Sequence, residues 1–202
     1  MAGGTSFRQV ATGLLLVLSL FMAVLMVYGA CLRATARALI NSAKEIRTTE
    51  DAEREIAAWR GRPFAKFYDE PPLPLDLGGD KVYGVQVLNT ILSKLRIVQP
   101  RSLEMTIRMR SGKLRSVWLL FINGPAYGTG VAEWWVPGPS VRFHVERRLR
   151  PWAAYVEFSA DLPDHQRNKA FAFNANCLVK PWDCKQAEDV LPGVWQLDAA
   201  PQ

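Results

Sequence analysis

The chain has 202 residues, 49% of them hydrophobic and 22% charged, with 14 glycines and 13 prolines. That is enough apolar surface for one domain with a core, too hydrophobic for a disordered chain and too poor in glycine and proline for a collagen-like one. Three cysteines are too few for a disulfide scaffold, and the net charge of +6 is modest.

Residues 1–9 read as a short tail. No residue between Arg8 and Arg33 is charged, and the 23-residue run Val10–Leu32 is rich in Leu, Val, Met and Ala. A helix crossing the hydrocarbon core needs about 20 such residues, and it satisfies its backbone polar groups internally. Residues 10–32 are therefore expected to form a retained transmembrane helix. A cleaved signal peptide has a shorter apolar region. Two processing signals compete with this reading: Ala34-Thr35-Ala36 as a cleavage site, and Tyr28-Gly29-Ala30-Cys31 as a lipoprotein signal with Cys31 lipidated. The first lies past Arg33. In the second, Tyr28 stands where an aliphatic residue is usual.

Residues 33–62 read as a membrane-proximal helical segment. Arg33–Asn41 holds no helix breaker. Thr48 is placed as the N-cap of a second helix over Thr49–Arg60, with Glu50, Asp51 and Glu53 in its first turn. Ala52, Ile56 and Trp59 mark its buried side, and Gly61 with Pro63 ends it. Residues 63–80 read as a surface connection, extended at Pro71, Pro72 and Pro74 and turning at Gly78-Gly79.

Residues 81–202 are expected to form an antiparallel β domain. Val82–Leu88 is strand-like, and Asn89–Val98 fits either a strand or a short helix. Leu103, Met105, Ile107 and Met109 alternate with Glu104, Thr106, Arg108 and Arg110. Ser111-Gly112 is a two-residue turn, and Lys113–Phe121 returns. Further strands are expected near Val131–Val136, Val141–Arg147, Ala153–Ser159 and Lys169–Ala175. The fold class is α+β: a transmembrane helix, a short helical segment and an antiparallel meander.

The hairpin offers a candidate contact surface. A strict two-residue turn sets Arg110 opposite Lys113 and Arg108 opposite Arg115, so four cations share one face. Lys81–Arg115 holds eight basic residues and one acid, Glu104. Such a face suits anionic lipid headgroups, an acidic polymer or an acidic protein. A solvated face that blocks edge-to-edge aggregation is the structural alternative. No nucleic-acid module is visible, and a membrane anchor disfavours that partner.

Cys177 and Cys184 enclose Leu178-Val179-Lys180-Pro181-Trp182-Asp183. With His144 and His165 the only histidines and no Cys-x-x-Cys spacing, a metal site lacks ligands. A disulfide closing an eight-residue ring is the simpler reading, and it favours an oxidising compartment. The charge count opposes this. Arg33, Arg37, Lys44 and Arg47 follow the span and only Arg8 precedes it, which by the positive-inside rule places the domain in the cytoplasm.

Phe173-Asn174, Cys177-Leu178, Lys180, Cys184, Ala187 and Leu191-Pro192 resemble the tail of an uncharacterised bacterial family of acidobacterial type with one N-terminal membrane span. The resemblance covers about 20 residues closely and implies a membrane-anchored bacterial protein with no assigned activity. No cofactor motif appears. The loop Gly124–Gly130 lacks both P-loop and dinucleotide patterns and reads as a strand connection. Trp134-Trp135, in a strand, would point to opposite faces. Asp164 beside His165 supports acid–base chemistry only if a nucleophile lies close. Three functions follow: an extracytoplasmic binding or structural module, an anchored enzyme built on His165, or a cytoplasm-facing adaptor.

Overall fold

A computed structural model describes residues 4–69, 81–124, 128–134, 155–159, 162–180, 184 and 187–194. Residues 70–80 of the connection, with Pro71, Pro72, Pro74 and Gly78-Gly79, the expected strand Val141–Arg147 with His144, and Trp135 lie outside these residues. The chain divides into two compact units, Met1–Cys31 and Leu32–Gln202.

Helix α1 spans Gly4–Glu45 and changes character along its length. In the first unit its large apolar side chains are exposed all round, Val10 at 68%, Leu14 at 69% and Met26 at 66% among them. This helix is long and apolar enough to cross a membrane. From Leu32 onward the pattern becomes amphipathic. Leu32, Ala36, Leu39, Ile40 and Ala43 are buried, at the i, i+4, i+7 spacing of one helical stripe.

Helix α2 (Thr49–Trp59) starts as the sequence predicts. The Thr48 hydroxyl accepts from the Asp51 amide, and the Asp51 carboxylate accepts from the Thr48 amide, a reciprocal capping box. Its stripe Ala52, Ile56 and Trp59 is buried. The Trp59 indole donates to Ser42 Oγ at 3.0 Å, tying α2 back to α1. Gly61, at φ 76°, takes the left-handed conformation that ends the helix.

The sheet follows in chain order: β1 (Lys66–Tyr68), β2 (Lys81–Leu88), β3 (Arg101–Arg110), β4 (Lys113–Asn123), β5 (Gly128–Trp134) and β6 (Tyr155–Ser159). Short helices are α3 (Thr90–Lys94), α4 (Asp164–Ala170) and α5 (Ala187–Val190), with a 3₁₀ turn at Ala175–Leu178. The α+β architecture is as expected, and β1 to β5 are joined antiparallel.

Four local expectations need correction. β1 interrupts what reads as a plain connection. It is three residues long, too short for a periodic signal, and gains its structure from pairing with Gly84–Gln86. Its Tyr68 ring lies over Gly84, where a Cβ would collide with it. Second, β6 joins β5 in parallel. Twenty residues separate these strands, enough for the crossover that a parallel pair needs. Third, Lys169–Ala175 is not a strand. Arg167, Ala170, Phe171 and Ala175 are buried at helical spacing, and α4 with the 3₁₀ turn replaces the strand. Fourth, the β3–β4 register shifts by one residue, as described below.

The second unit's core gathers the α1 stripe, the α2 stripe, the alternating β3 residues Leu103, Met105 and Ile107, and Val117, Leu119 and Phe121 of β4. Phe171, Leu178, Leu191 and Val194 complete it from the C-terminal segment. The last turn of α1 carries unsatisfied carbonyls, as every helix end does. Arg167, 2% exposed, supplies the donors. Its Nε donates to Lys44 O at 2.7 Å, and one terminal nitrogen donates to Ile46 O at 2.9 Å and Ala43 O at 3.4 Å. Burial, and then the charge of Arg47, lowers the pKa of Arg167 to about 9, so it stays charged at neutral pH.

Replacing Arg167 by Met should cost about 3 kcal/mol, because hydrogen bonds from a charged donor to buried carbonyls are lost while the packing volume is largely kept. Thermal unfolding of the full chain in detergent measures this. A Tm within a degree or two of the parent would mean that the α1 end does not depend on this guanidinium.

Candidate functional site at the hairpin tip

The turn between β3 and β4 is the one that the dipeptide demands. Ser111 at φ 50° and Gly112 at φ 73° both take positive φ, the requirement of a type I′ hairpin. Arg110 faces Lys113 and Met109 faces Leu114, as the sequence predicts. The ladder then slips at a bulge between Arg108 and Met109, so Arg108 faces Ser116 and Ile107 faces Val117. The expected opposition of Arg108 and Arg115 does not occur, and Arg115 is the extra residue.

The bulge has a packing cause. A strict register would set Ile107 against Ser116 and Met105 against Trp118. Inserting Arg115 as the extra residue brings Val117, Leu119 and Phe121 opposite Ile107, Met105 and Leu103, all buried. A one-residue slip moves a whole hydrophobic set to the other face, so the bulge fixes which residues of β4 enter the core. It also separates two of the like charges that a strict ladder would have opposed.

Arg110, Lys113 and Arg115 are exposed around the turn, and Arg108 is half-buried one step down β3. The tip is tied to α2 by the Leu114 amide, which donates to Thr49 Oγ1 at 3.0 Å. Between α2 and the tip lies an open cleft of 770 Å³, walled by Ile56, Tyr83, Met109 and the Ser111-Gly112 turn. Glu53, Arg60 and Lys81 place one negative and two positive groups on its rim. Three exposed cations thus surround the turn beside a partly apolar cleft.

Further along the same strands, the β3 side opposite the core carries Glu104 and Thr106. The Tyr68 hydroxyl donates to Glu104 Oε1, and the Thr106 hydroxyl lies 3.4 Å from the same oxygen. Burial pushes the Glu104 carboxyl above its ordinary value, with the Thr106 hydrogen bond opposing. Glu104 is the one acid in the basic stretch Lys81–Arg115.

Sequence reading passes over two residues at the other end of the sheet. Arg101, 6% exposed, donates to Cys177 O at 2.6 Å, Lys180 O at 2.9 Å and Asn123 Oδ1 at 3.0 Å. Asn89, 1% exposed, donates to Leu178 O at 3.1 Å and Gln99 O at 2.9 Å, and its Oδ1 accepts from the Arg101 amide at 2.8 Å. Cys177 and Cys184 are paired at disulfide distance with their Cα atoms 5.5 Å apart, and both are buried. Arg101 and Asn89 therefore bind the carbonyls of the Cys177–Lys180 arm of this ring. A lone arginine and asparagine give no signal in sequence, because only the tertiary fold brings carbonyls to them.

His165 is exposed in the first turn of α4, and the Asp164 carboxylate is bound by Arg47. Asp164 thus anchors α4 near the end of α1, beside a cleft lined by Asn41, Lys44, Arg167 and Asn168. Among the described residues no group of three or more His, Cys, Asp or Glu is placed to hold a metal ion. Trp134 closes β5 opposite Ser116. Of the glycine-rich run, Gly128–Gly130 belong to β5, and residues 125–127 lie outside the described residues.

Comparison of the chain with protein-family models, curated proteins and solved structures finds no match.

The raised Glu104 pKa gives a pH signature. The folded state binds this proton more tightly than the unfolded chain does. The resulting stability is full below the ordinary carboxylate range and is lost as pH rises through the folded-state value. Glu104→Gln should raise Tm at neutral pH and flatten the profile of stability against pH just above pH 4.5. Unfolding midpoints measured across that range test this, and a profile as steep as the parent's would contradict it.

Proposed function

We propose that the chain is a bacterial single-span membrane protein, anchored by the apolar part of α1 as a retained signal anchor. Its folded unit stands on the extracytoplasmic, periplasmic side. It works as a binding or structural module of the envelope, with the basic hairpin tip as its contact surface for an anionic polymer or acidic protein. The observation that supports this most is the exposure of Arg110, Lys113 and Arg115 around one rigid turn. A short turn braced to α2 fixes the backbone from which these charges extend, so little backbone freedom is lost on binding.

The Cys177–Cys184 pair supports this side of the membrane, since disulfides persist in oxidising compartments. The resemblance of the Cys-Leu-x-Lys…Cys run to the acidobacterial-type family supports the bacterial setting. The opposite reading, a cytoplasm-facing adaptor, is favoured by Arg33, Arg37, Lys44 and Arg47 after the span. An anchored enzyme finds less support, because Asp164 is engaged with Arg47 rather than with His165.

Replacing Arg110, Lys113 and Arg115 together by Glu should weaken binding of the detergent-solubilised protein to immobilised dextran sulfate by about tenfold or more at low salt, with the difference shrinking as salt rises. Equal retention of parent and variant at every salt concentration would show that the tip is not the anion-binding surface.

A further inference from the structure

Outside α1, four large apolar side chains are exposed among the described residues, and three of them, Ile91 (46%), Leu95 (43%) and Ile97 (40%), fall in one seven-residue stretch. This stretch, α3 and the turn after it, connects β2 to β3. It is held in a fixed shape. Leu92 and Val98 are buried beneath it, each 5% exposed. The Leu92 carbonyl accepts from the amides of Ile97 at 3.0 Å and Val98 at 3.4 Å, and the Ile91 carbonyl accepts from Leu95 at 3.0 Å. Asn89 pins the base through Gln99 O and Leu178 O. The connection buries two of its five aliphatic residues and leaves the other three outside.

Cations interleave with these side chains. Lys94 and Arg96 are exposed within the stretch, and Lys180 is exposed on the ring segment bound at its base. Lys81–Leu103 contains no acidic residue. Aliphatic side chains alternating with Lys and Arg, on a small rigid projection, are the composition of a surface that rests at the headgroup and acyl-chain boundary of an anionic bilayer. A soluble partner would also cover apolar side chains, but the chain brings its own membrane through the anchor, and that tether holds the projection at high effective concentration near lipid.

We infer that Ile91, Leu95 and Ile97, flanked by Lys94 and Arg96, insert into the headgroup region of the anionic membrane in which the chain is anchored. This contact rests on the anchoring reading above and not on the hairpin reading. It also assigns opposite roles to the two ends of β3. β3 is ten residues long, and its nine steps of about 3.3 Å separate Arg101, at the lipid-facing end, from Arg110 at the hairpin tip. The basic tip would then stand roughly 30 Å from the lipid-facing end, available to a partner rather than to lipid.

The test uses the full chain with Cys31→Ala, reconstituted into phosphatidylcholine vesicles with and without phosphatidylglycerol. An environment-sensitive fluorophore is attached at Leu95→Cys, at Ile91→Cys as a second probe, or at Ser111→Cys on the hairpin tip. With phosphatidylglycerol present, the probes at 91 and 95 should emit at shorter wavelength, and headgroup-level quencher lipids should quench them at least about twofold more than the probe at 111. The excess should diminish in phosphatidylcholine alone. Equal quenching at 95, 91 and 111, or quenching at 95 and 91 that ignores phosphatidylglycerol, would overturn the contact while leaving the anchor standing. Failure of the chain to incorporate into vesicles would overturn anchor and contact together.

Discussion

The pairing of Cys177 with Cys184 is the constraint on which the packing of the Cys177–Lys180 arm against the start of β3 depends. It closes a ring of eight residues, and the fold uses that ring as a ligand for buried donors. Arg101 at the start of β3 binds the carbonyls of Cys177 and Lys180, and Asn89 at the end of β2 binds that of Leu178. A guanidinium 6% exposed is costly to bury unless its hydrogen bonds are satisfied by fixed acceptors. The ring supplies acceptors that a flexible segment would not hold in place. The burden is mutual: ring carbonyls turned inward would be unsatisfied without Arg101 and Asn89.

A second buried guanidinium performs the corresponding task at the end of α1. Arg167 takes the carbonyls of Ala43, Lys44 and Ile46, and Asp164 one turn earlier binds Arg47. The C-terminal segment is thus tied at two places, to the sheet through Arg101 and to α1 through Arg167. It also explains why α1 belongs to two units. Its first part exposes apolar side chains on every side, whereas the part from Leu32 onward has a buried stripe and a capped end.

What could be read from the sequence follows from periodicity and turn chemistry. The apolar run, the capped helix α2, the strand alternation of β3 and the Ser111-Gly112 turn each rest on local signals several residues long, and each is present. β1 is three residues long and has no period to read. The bulge at Arg115 arises because the apolar residues of β4 change phase after Leu114, a conflict that only pairing with β3 resolves. The segment after Lys169 looks strand-like because Phe171 and Phe173 alternate, but Arg167 is drawn inward by the α1 carbonyls and sets a helical phase instead. Of the candidate site, the tip cations were legible by charge and turn. Arg101, Asn89 and the exposed aliphatic stretch at Ile91–Ile97 were not, since their significance lies in what the fold places around them.

The proposed function requires the ring to be oxidised on the far side of the membrane from the cytoplasm, and thiol accessibility addresses that directly. A membrane-impermeant maleimide is applied to spheroplasts and to lysed cells, each with and without prior reduction, with Cys31→Ala confining the signal to Cys177 and Cys184. Labelling in intact spheroplasts only after reduction is the expected result. Labelling that needs lysis and no reductant would contradict it, placing free thiols and the whole folded unit in the cytoplasm.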